Sequence, residues 1–165
     1  MNAAAPPLET LAQLYARPGF LLRRAHQISA AVFEDACAPL GLTQAQYGAM
    51  TVLAAAPGLD QTRLARALAF DKVTALRVLR GLQARGLVER APVPGNARQL
   101  AVQLTVAGHD TLAQAQQAAQ AAYQRLLQPL APPQQQQLVQ LLAQLTDGLA
   151  HAARAPFVPL TGHPG

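Results

Sequence analysis

Apolar residues recur along this chain at the spacing of amphipathic helices. The clearest example lies between residues 18 and 38, where one apolar stripe consists of Leu21, Ala25, Ile28, Val32 and Ala36. A second strip on its flank consists of Leu22, His26, Ser29 and Phe33. Two such strips are more than one contact needs, so we predict a helix that packs on two sides.

Capping residues mark the start of three helices in the middle of the chain. Thr43 and Gln46 have the spacing of a capping box, which predicts a helix over residues 43–56. Asp60 is placed to cap a short helix, and a longer one is predicted over 71–86. Two short helices joined by a tight turn are typical of a helix-turn-helix.

The helix predicted over 71–86 has two chemically different faces. One face carries Ala75, Val78, Leu79 and Leu82. The outer face mixes cations with apolar and hydroxyl groups and carries Val73, Thr74, Leu76, Arg77 and Arg80. That mixture suits a DNA groove, because arginine pairs with guanine or phosphate, threonine bonds either, and apolar groups contact thymine methyls.

A short hairpin is predicted after this helix. Residues 87–90 and 99–104 have the composition of strands, and residues 92–96 that of the turn between them. A helix-turn-helix followed by a hairpin is a winged helix, in which the helix over 71–86 is the recognition helix.

Two more helices are predicted in the last third of the chain. Thr105 caps a long helix that reaches about Gln128, and the prolines between residues 129 and 133 break the pattern. The last helix carries a heptad-like seam of Leu138, Leu142, Leu145 and Leu149. A chain of this size has little surface left to cover that seam, so we predict a homodimer held by its terminal helices.

Composition and charge sharpen this interpretation. The 165 residues suit one core, and their wealth of alanine, leucine and glutamine predicts a mainly α protein. The net charge is +5, and residues 42–105 hold eight cations against three anions, whereas the two charge signs balance in 1–41 and in 106–165. Such clustering is typical of a polyanion site, with a solvated basic face as the alternative.

Other features exclude several classes of protein. The one cysteine, Cys37, rules out an internal disulfide and favours a reducing compartment. The first residues lack the pattern of a signal peptide and no apolar run could span a membrane, so we expect a cytoplasmic protein. The histidines lack metal-ligand spacing, so we predict no metal site. No Gly-rich nucleotide loop follows Leu149, so we predict no cofactor, catalytic site or enzymatic activity.

Four motifs accompany this order of elements: GLTQAQY at 41–47, PGLDQTRLA at 57–65, LQARGLVER at 82–90, and NAR followed by VQLTVAG within 96–108. Together they resemble the MarR family of bacterial transcriptional regulators, which are dimeric winged-helix proteins. The resemblance covers about residues 18–150. It implies a dimer on a pseudo-palindromic duplex, with recognition helices in successive major grooves and wings over the flanking minor grooves.

The resemblance also implies a braced arginine in the wing. In the family an aspartate two residues before an arginine braces the loop, and here the pair is Asn96 and Arg98. An amide brace is neutral and therefore weaker than a charge-assisted one. The residues predicted to contact DNA are Arg63, Lys72, Val73, Thr74, Leu76, Arg77, Arg80, Asn96 and Arg98.

The segment RPGFLLRRAHQ, at 17–27, looks like that of a subgroup which responds to small aromatic carboxylates. In the family the effector pocket lies where the first two helices meet the DNA-binding lobe. The resemblance thus implies an effector site made of Arg17, Phe20, Arg24, His26, Phe33 and Tyr47. Arginine or imidazolium would bind the carboxylate, and aromatic rings would pack against the ring of the ligand. The alternative for His26 is a structural role in the interior.

We therefore predict a dimeric repressor that a small aromatic acid releases from double-stranded DNA. Two alternatives stay open: a redox-sensing regulator that uses Cys37, and a winged-helix dimerisation module for an enzyme or protein partner without DNA binding. The charge excess disfavours the second alternative. The predicted parts are an N-terminal arm (1–17), a first helix for dimerisation and the pocket (18–41), the DNA-binding lobe with its hairpin wing (42–105), C-terminal dimerisation helices (106–154) and a tail (155–165).

Overall fold

The computed structural model describes residues 10–93 and 96–160. Its elements are α1 (Leu11–Ala16), α2 (Pro18–Ala36), α3 (Gln44–Ala55), α4 (Gln61–Ala67), α5 (Lys72–Ala84), β1 (Val88–Val93), β2 (Asn96–Leu104), α6 (Val106–Leu127) and α7 (Pro132–Gly148). Short 3-10 turns follow α2 and α7, at Ala38–Leu40 and Ala150–Ala152. The strands form one antiparallel hairpin. The predicted mainly α, winged helix-turn-helix fold is confirmed.

The predicted cap residues begin their helices. Thr43 Oγ1 accepts a hydrogen bond from Gln46 N at 3.2 Å, and Gln46 Oε1 accepts one from Thr43 N at 3.1 Å, which completes the capping box. Asp60 and Asp71 each accept a hydrogen bond from the backbone N–H three residues later. Thr105 does the same at the start of α6. These bonds satisfy N–H groups that a helix cannot satisfy internally.

Three predicted boundaries differ from the structure. α5 ends at Ala84, because Gly86 adopts a left-handed φ of +67° that turns the chain into β1. The turn predicted over 92–96 is shorter, since both strands extend into it, and residues 94–95 lie outside the described part. α7 begins at Pro132, inside the predicted break, because a proline is tolerated in the first turn of a helix.

One hydrophobic core joins the helices α2 to α6 and the hairpin. The largest of its fully buried side chains are Phe33, Met50, Leu53, Leu64, Leu79, Leu82 and Val102. The inner face predicted for the recognition helix is buried in it as expected. Leu59, before α4, extends the hairpin, since its carbonyl accepts a hydrogen bond from Val102 N at 2.8 Å. The winged-helix lobe is therefore continuous with the long helices beside it.

The C-terminal end of α5 is held from two sides. Arg85 Nη1 and Nη2 donate to the carbonyls of Gly41 and Leu40 at 2.8 and 2.6 Å. Thr105 Oγ1 donates to the Gly86 carbonyl at 2.7 Å. The turn after α2 and the start of α6 therefore both fix the position of the recognition helix.

The last helix leaves its apolar seam exposed, whereas the tail after it packs against the winged-helix lobe. α7 has no buried residue, and its predicted seam is exposed by 36–53% at Leu138, Leu142, Leu145 and Leu149. The tail, predicted to be an arm or disordered, returns to the lobe, where Val158 N donates to the Arg66 carbonyl at 3.0 Å and Leu160 packs on the core. Residues 1–9 and 161–165 lie outside the described part. No helix within 10–93 or 96–160 has the length and apolarity to cross a membrane.

Candidate nucleic-acid interface and effector cavity

The surface of α5 opposite the core is cationic. Of the residues predicted to contact DNA, four are exposed along it, with Val73 exposed to 76%: Lys72, Val73, Arg77 and Arg80. The other two on this helix, Thr74 and Leu76, are half-buried, because they lie at the border with the buried face. The fully exposed part of the predicted outer face therefore consists mostly of cations, and the DNA contacts of all six residues stay a prediction.

The carboxylate of Asp71 fixes the start of this surface. Its Oδ1 accepts a hydrogen bond from Thr74 N at 2.6 Å. Hydrogen bonds from the backbone and side chain of Thr74, with a smaller contribution from the charge of Arg77, hold the pKa of Asp71 below its ordinary value. The negative charge also lies at the positive end of the helix dipole. Both effects favour the ionised cap.

A tight turn sets α4 against α5. Ala69 adopts a left-handed φ of +52° within it, and Phe70 N donates to the Ala65 carbonyl at 2.9 Å. Arg63, predicted to contact DNA, is exposed on α4. The two helices and their turn have helix-turn-helix geometry.

Some cations of the basic lobe serve the fold. The Arg85 guanidinium donates hydrogen bonds to two backbone carbonyls. Arg90 is half-buried, and its Nη2 donates to Gln61 Oε1 at 3.2 Å, which joins β1 to α4. The charge excess predicted the location of the basic surface but did not distinguish these arginines from the exposed ones.

The predicted wing contact involves Asn96 and Arg98. Both residues belong to β2, and Asn96 pairs with Val93 across the hairpin. Their side chains lie outside the described part, so their contact with a minor groove stays a prediction.

A cavity of about 670 Å³, called the inner cavity below, lies between α2, α3 and the recognition helix. Its polar and charged lining comes from His26, Glu34, Thr43, Gln44, Gln46 and Arg77. The remainder is mostly apolar and includes Leu68, Phe70 and Val78. A mostly apolar wall with a few polar groups, at this volume, is typical of a small-molecule site.

Of the six residues predicted to bind an effector, His26 lines the inner cavity. Phe33 instead lies in the core at 1% exposure, with its ring centroid 5.3 Å from that of Tyr47 and 6.2 Å from that of Tyr123. A ring covered in this way packs α2 against α3 and α6, and it has no free face for a ligand.

The other three predicted residues lie at the N-terminal end of α2, one of them at its N-cap and two in its first two turns. Phe20 packs against Tyr15 of α1, with 5.2 Å between ring centroids, and the Arg23 guanidinium lies 5.2 Å from the Phe20 centroid. Arg17 is the N-cap residue of α2, and Arg24 is exposed. The residues that line the inner cavity do not include these three.

Two charged residues of the inner cavity, Glu34 and Arg77, were absent from the predicted effector set. His26, Ala30 and Glu34 are spaced four residues apart on α2, so this spacing was the signal available for Glu34. No comparable signal existed for Arg77, because helical periodicity does not show which helix lies beside the edge of α5.

A second, apolar groove of about 980 Å³ lies between α2, α6 and α7. Three leucines of the predicted seam line it across from Leu21 and Ile28 of α2: Leu138, Leu142 and Leu145. His26 lies at its edge and so borders both cavities.

Cys37 is buried at 0% exposure, and burial raises the pKa of its thiol. A covered, neutral thiol reacts slowly with oxidants, so the geometry disfavours the redox alternative. Among the described residues, no three histidine, cysteine or acidic side chains are grouped so that they could hold a metal ion.

Comparisons with known proteins agree with this geometry. Residues 40–99 match the MarR family. The HTH-type transcriptional repressor Rv2887 of Mycobacterium tuberculosis is 32% identical over 127 residues, which make up 77% of this chain and 91% of that protein. The solved structure of the repressor CouR bound to a 23-mer DNA duplex is 29% identical and covers 85% of this chain and 99% of that chain, with a TM-score of 0.76.

A further solved structure concerns the regulation of DNA binding of Bordetella bronchiseptica BpsR by 6-hydroxynicotinic acid. It is 27% identical and covers 86% of this chain and 99% of that chain, with a TM-score of 0.77. These similarities extend beyond the winged helix to the long helices on either side. The chain belongs to the MarR family of transcriptional regulators, which are DNA-binding proteins and not enzymes.

Proposed function

We propose that the protein is a homodimeric repressor that binds duplex DNA through α5 and the wing and is released by a small aromatic carboxylate. The observation that carries this proposal is the exposed cationic face of α5 opposite its four buried residues. The similarity to CouR, whose structure contains a DNA duplex, supports DNA as the polyanion. Phosphate contacts from Lys72 and Arg63 would position the helix, and Arg77 would read bases.

Arg77→Ala is expected to weaken binding to the DNA upstream of the protein's own gene by about 5- to 150-fold, or about 1–3 kcal/mol, and to relax base preference. The reason is that a guanidinium forks to the two acceptors of guanine. Fluorescence anisotropy with a labelled duplex at one fixed salt concentration measures the loss. Arg125→Ala, which removes an exposed cation from α6, is the matched control and should retain affinity. Equal losses in both variants would contradict base reading by Arg77.

In this proposal a second copy of the chain covers the apolar groove, and residues 18–41 and 106–154 form the dimerisation part. α7 supports this, because none of its residues is buried within its own chain, and a helix in a protein owes most of its stability to the packing of an apolar face. The groove is lined almost wholly by apolar side chains, as in the centre of a stable interface. Recognition helices in two successive major grooves also require two lobes.

Leu142→Glu is expected to convert the dimer to single chains and so to halve the mass measured by light scattering. A carboxylate at this position would be buried in the interface without a partner. Gln140→Glu adds the same charge to α7 outside the groove, and this variant should stay dimeric. A wild-type protein with the mass of one chain would refute the proposed dimer.

The effector class is supported by the similarity to BpsR, whose DNA binding is regulated by 6-hydroxynicotinic acid. The inner cavity suits such a ligand, since it borders the recognition helix and combines apolar walls with charged groups. A ligand held there would favour one placement of α5 relative to α2. Its effect on DNA binding cannot exceed the difference between its affinities for the free and the DNA-bound arrangement.

A further inference from the structure

The charged lining of the inner cavity comes from two different helices. α2 contributes Glu34, with His26 two turns earlier, and α5 contributes Arg77. Among the described residues that line this cavity, Arg77 is the one arginine, and no lysine lines it. Arg77 is also exposed on the face of α5 that carries Arg80. Its side chain therefore borders both the cavity and the surface that would meet DNA.

We propose that Arg77 binds the carboxylate of the effector in the inner cavity, so that effector and DNA compete for the same guanidinium. This inference rests on the proposed function and specifies its regulation. A guanidinium binds a carboxylate through two parallel N–H groups, and it uses the same pair for guanine or a phosphate. One side chain cannot make both contacts at once, so a bound effector removes a DNA contact as well as biasing the position of α5.

The geometry favours Arg77 over the cations that the sequence suggested. Arg17 and Arg24 belong to the first two turns of α2 or its cap and do not line the inner cavity. Glu34, on the opposite helix, repels a second carboxylate and accepts a hydrogen bond from a hydroxyl or ring N–H. The cavity therefore suits a monocarboxylate with a donor elsewhere on its ring, such as 4-hydroxybenzoate or 6-hydroxynicotinate.

Coupling through a shared side chain is reciprocal. DNA bound to Arg77 lowers the affinity for the effector by the same factor by which the effector lowers the affinity for DNA. Removing Arg77 therefore lowers both affinities and also the coupling between them. Loss of Arg80 lowers the affinity for DNA only, since Arg80 does not line the inner cavity.

The test measures binding of 4-hydroxybenzoate and 6-hydroxynicotinate to the full-length protein by calorimetry, with neutral 4-hydroxybenzamide as the matched probe. Arg77→Ala is expected to lower the affinity for both acids about tenfold or more, because a charge-assisted hydrogen bond is lost. Its affinity for the amide should equal that of the wild type. Arg80→Ala should bind the acids like the wild type while its affinity for DNA falls. Arg77→Gln, which retains most of the side-chain length, serves if Arg77→Ala melts at a lower temperature than the wild type.

Each other outcome overturns the inference in a recognisable way. If Arg77→Ala loses affinity for DNA but binds the acids like the wild type, the proposal that effector and DNA share Arg77 is refuted, and the proposed repressor stands. If acid and amide weaken together, Arg77 shapes the cavity and does not bind the carboxylate. If neither acid binds the wild type, the inference fails together with the effector part of the proposed function, whereas DNA binding by the wild type is measured separately.

Discussion

Gly108→Ala is expected to destabilise the protein by about 3 kcal/mol or more, because a Cβ at this position would overlap the backbone of Leu87, the residue before β1. Gly108 is buried in the first turn of α6, and its added Cβ would lie inside the contact distance of the Leu87 carbonyl oxygen and carbon. Backbone atoms cannot rotate away as the end of a side chain can. The start of α6 would have to move off the wing, at the expense of the bond between Thr105 and Gly86.

Urea unfolding followed by circular dichroism measures this loss. Gly19→Ala is the matched control, since Gly19 lies in the first turn of α2 and an added Cβ there meets nothing within 4 Å. That variant should equal the wild type or gain up to about 1 kcal/mol from the better helix propensity of alanine. Equal stability of Gly108→Ala and the wild type would mean that α6 does not pack on the wing as closely as described.

Local features of the fold were predictable from the sequence. The helix starts at Thr43, Asp60, Asp71 and Thr105 were predicted, because each cap side chain bonds a backbone N–H only three residues away. The cap of α1 at Thr10 was not among the predictions. The buried face of α5 was also predictable, since helical periodicity assigns its residues to one side. Both inferences need no knowledge of which elements become neighbours.

Contacts between distant segments were not predictable in the same way. The Arg85 guanidinium binds the carbonyls of Leu40 and Gly41, more than forty residues earlier in the chain. Backbone carbonyls of this kind carry no sequence signal, so Arg85 was counted with the cations of the basic lobe. The return of the tail to Arg66 had no signal either, because a backbone bond from Val158 is independent of side-chain type.

The predicted effector site shows the same difference between local features and contacts of distant segments. His26 and Phe33 belong to one predicted strip of α2, yet His26 borders the inner cavity and Phe33 lies in the core. Periodicity placed both residues on one side of a helix without showing how deep each lies. The resemblance predicted the region of the pocket, and the inner cavity between α2, α3 and α5 shows which residues line that region in this chain.

Phe33→Ala is expected to destabilise the protein by about 3–5 kcal/mol, which is the usual loss for a fully buried aromatic residue. The Phe33 ring contacts Tyr47 and Tyr123, so its removal leaves a void between α2, α3 and α6. Phe20→Ala removes the same side chain from the same helix outside the core, and it should lose clearly less, since an aromatic pair contributes only about 0.5–1.5 kcal/mol beyond the area that it buries. Urea unfolding of the three proteins measures the difference.

A further variant, Phe33→Leu, decides whether Phe33 supports the fold or binds a ligand. Phe33→Leu retains apolar volume and should recover much of the stability lost in Phe33→Ala. Because the ring has no free face toward the inner cavity, the folded Phe33→Leu protein should bind 4-hydroxybenzoate as the wild type does. Normal stability together with weakened acid binding would restore Phe33 to the effector site, and it would require α2 to rotate so that its buried strip opens toward the ligand.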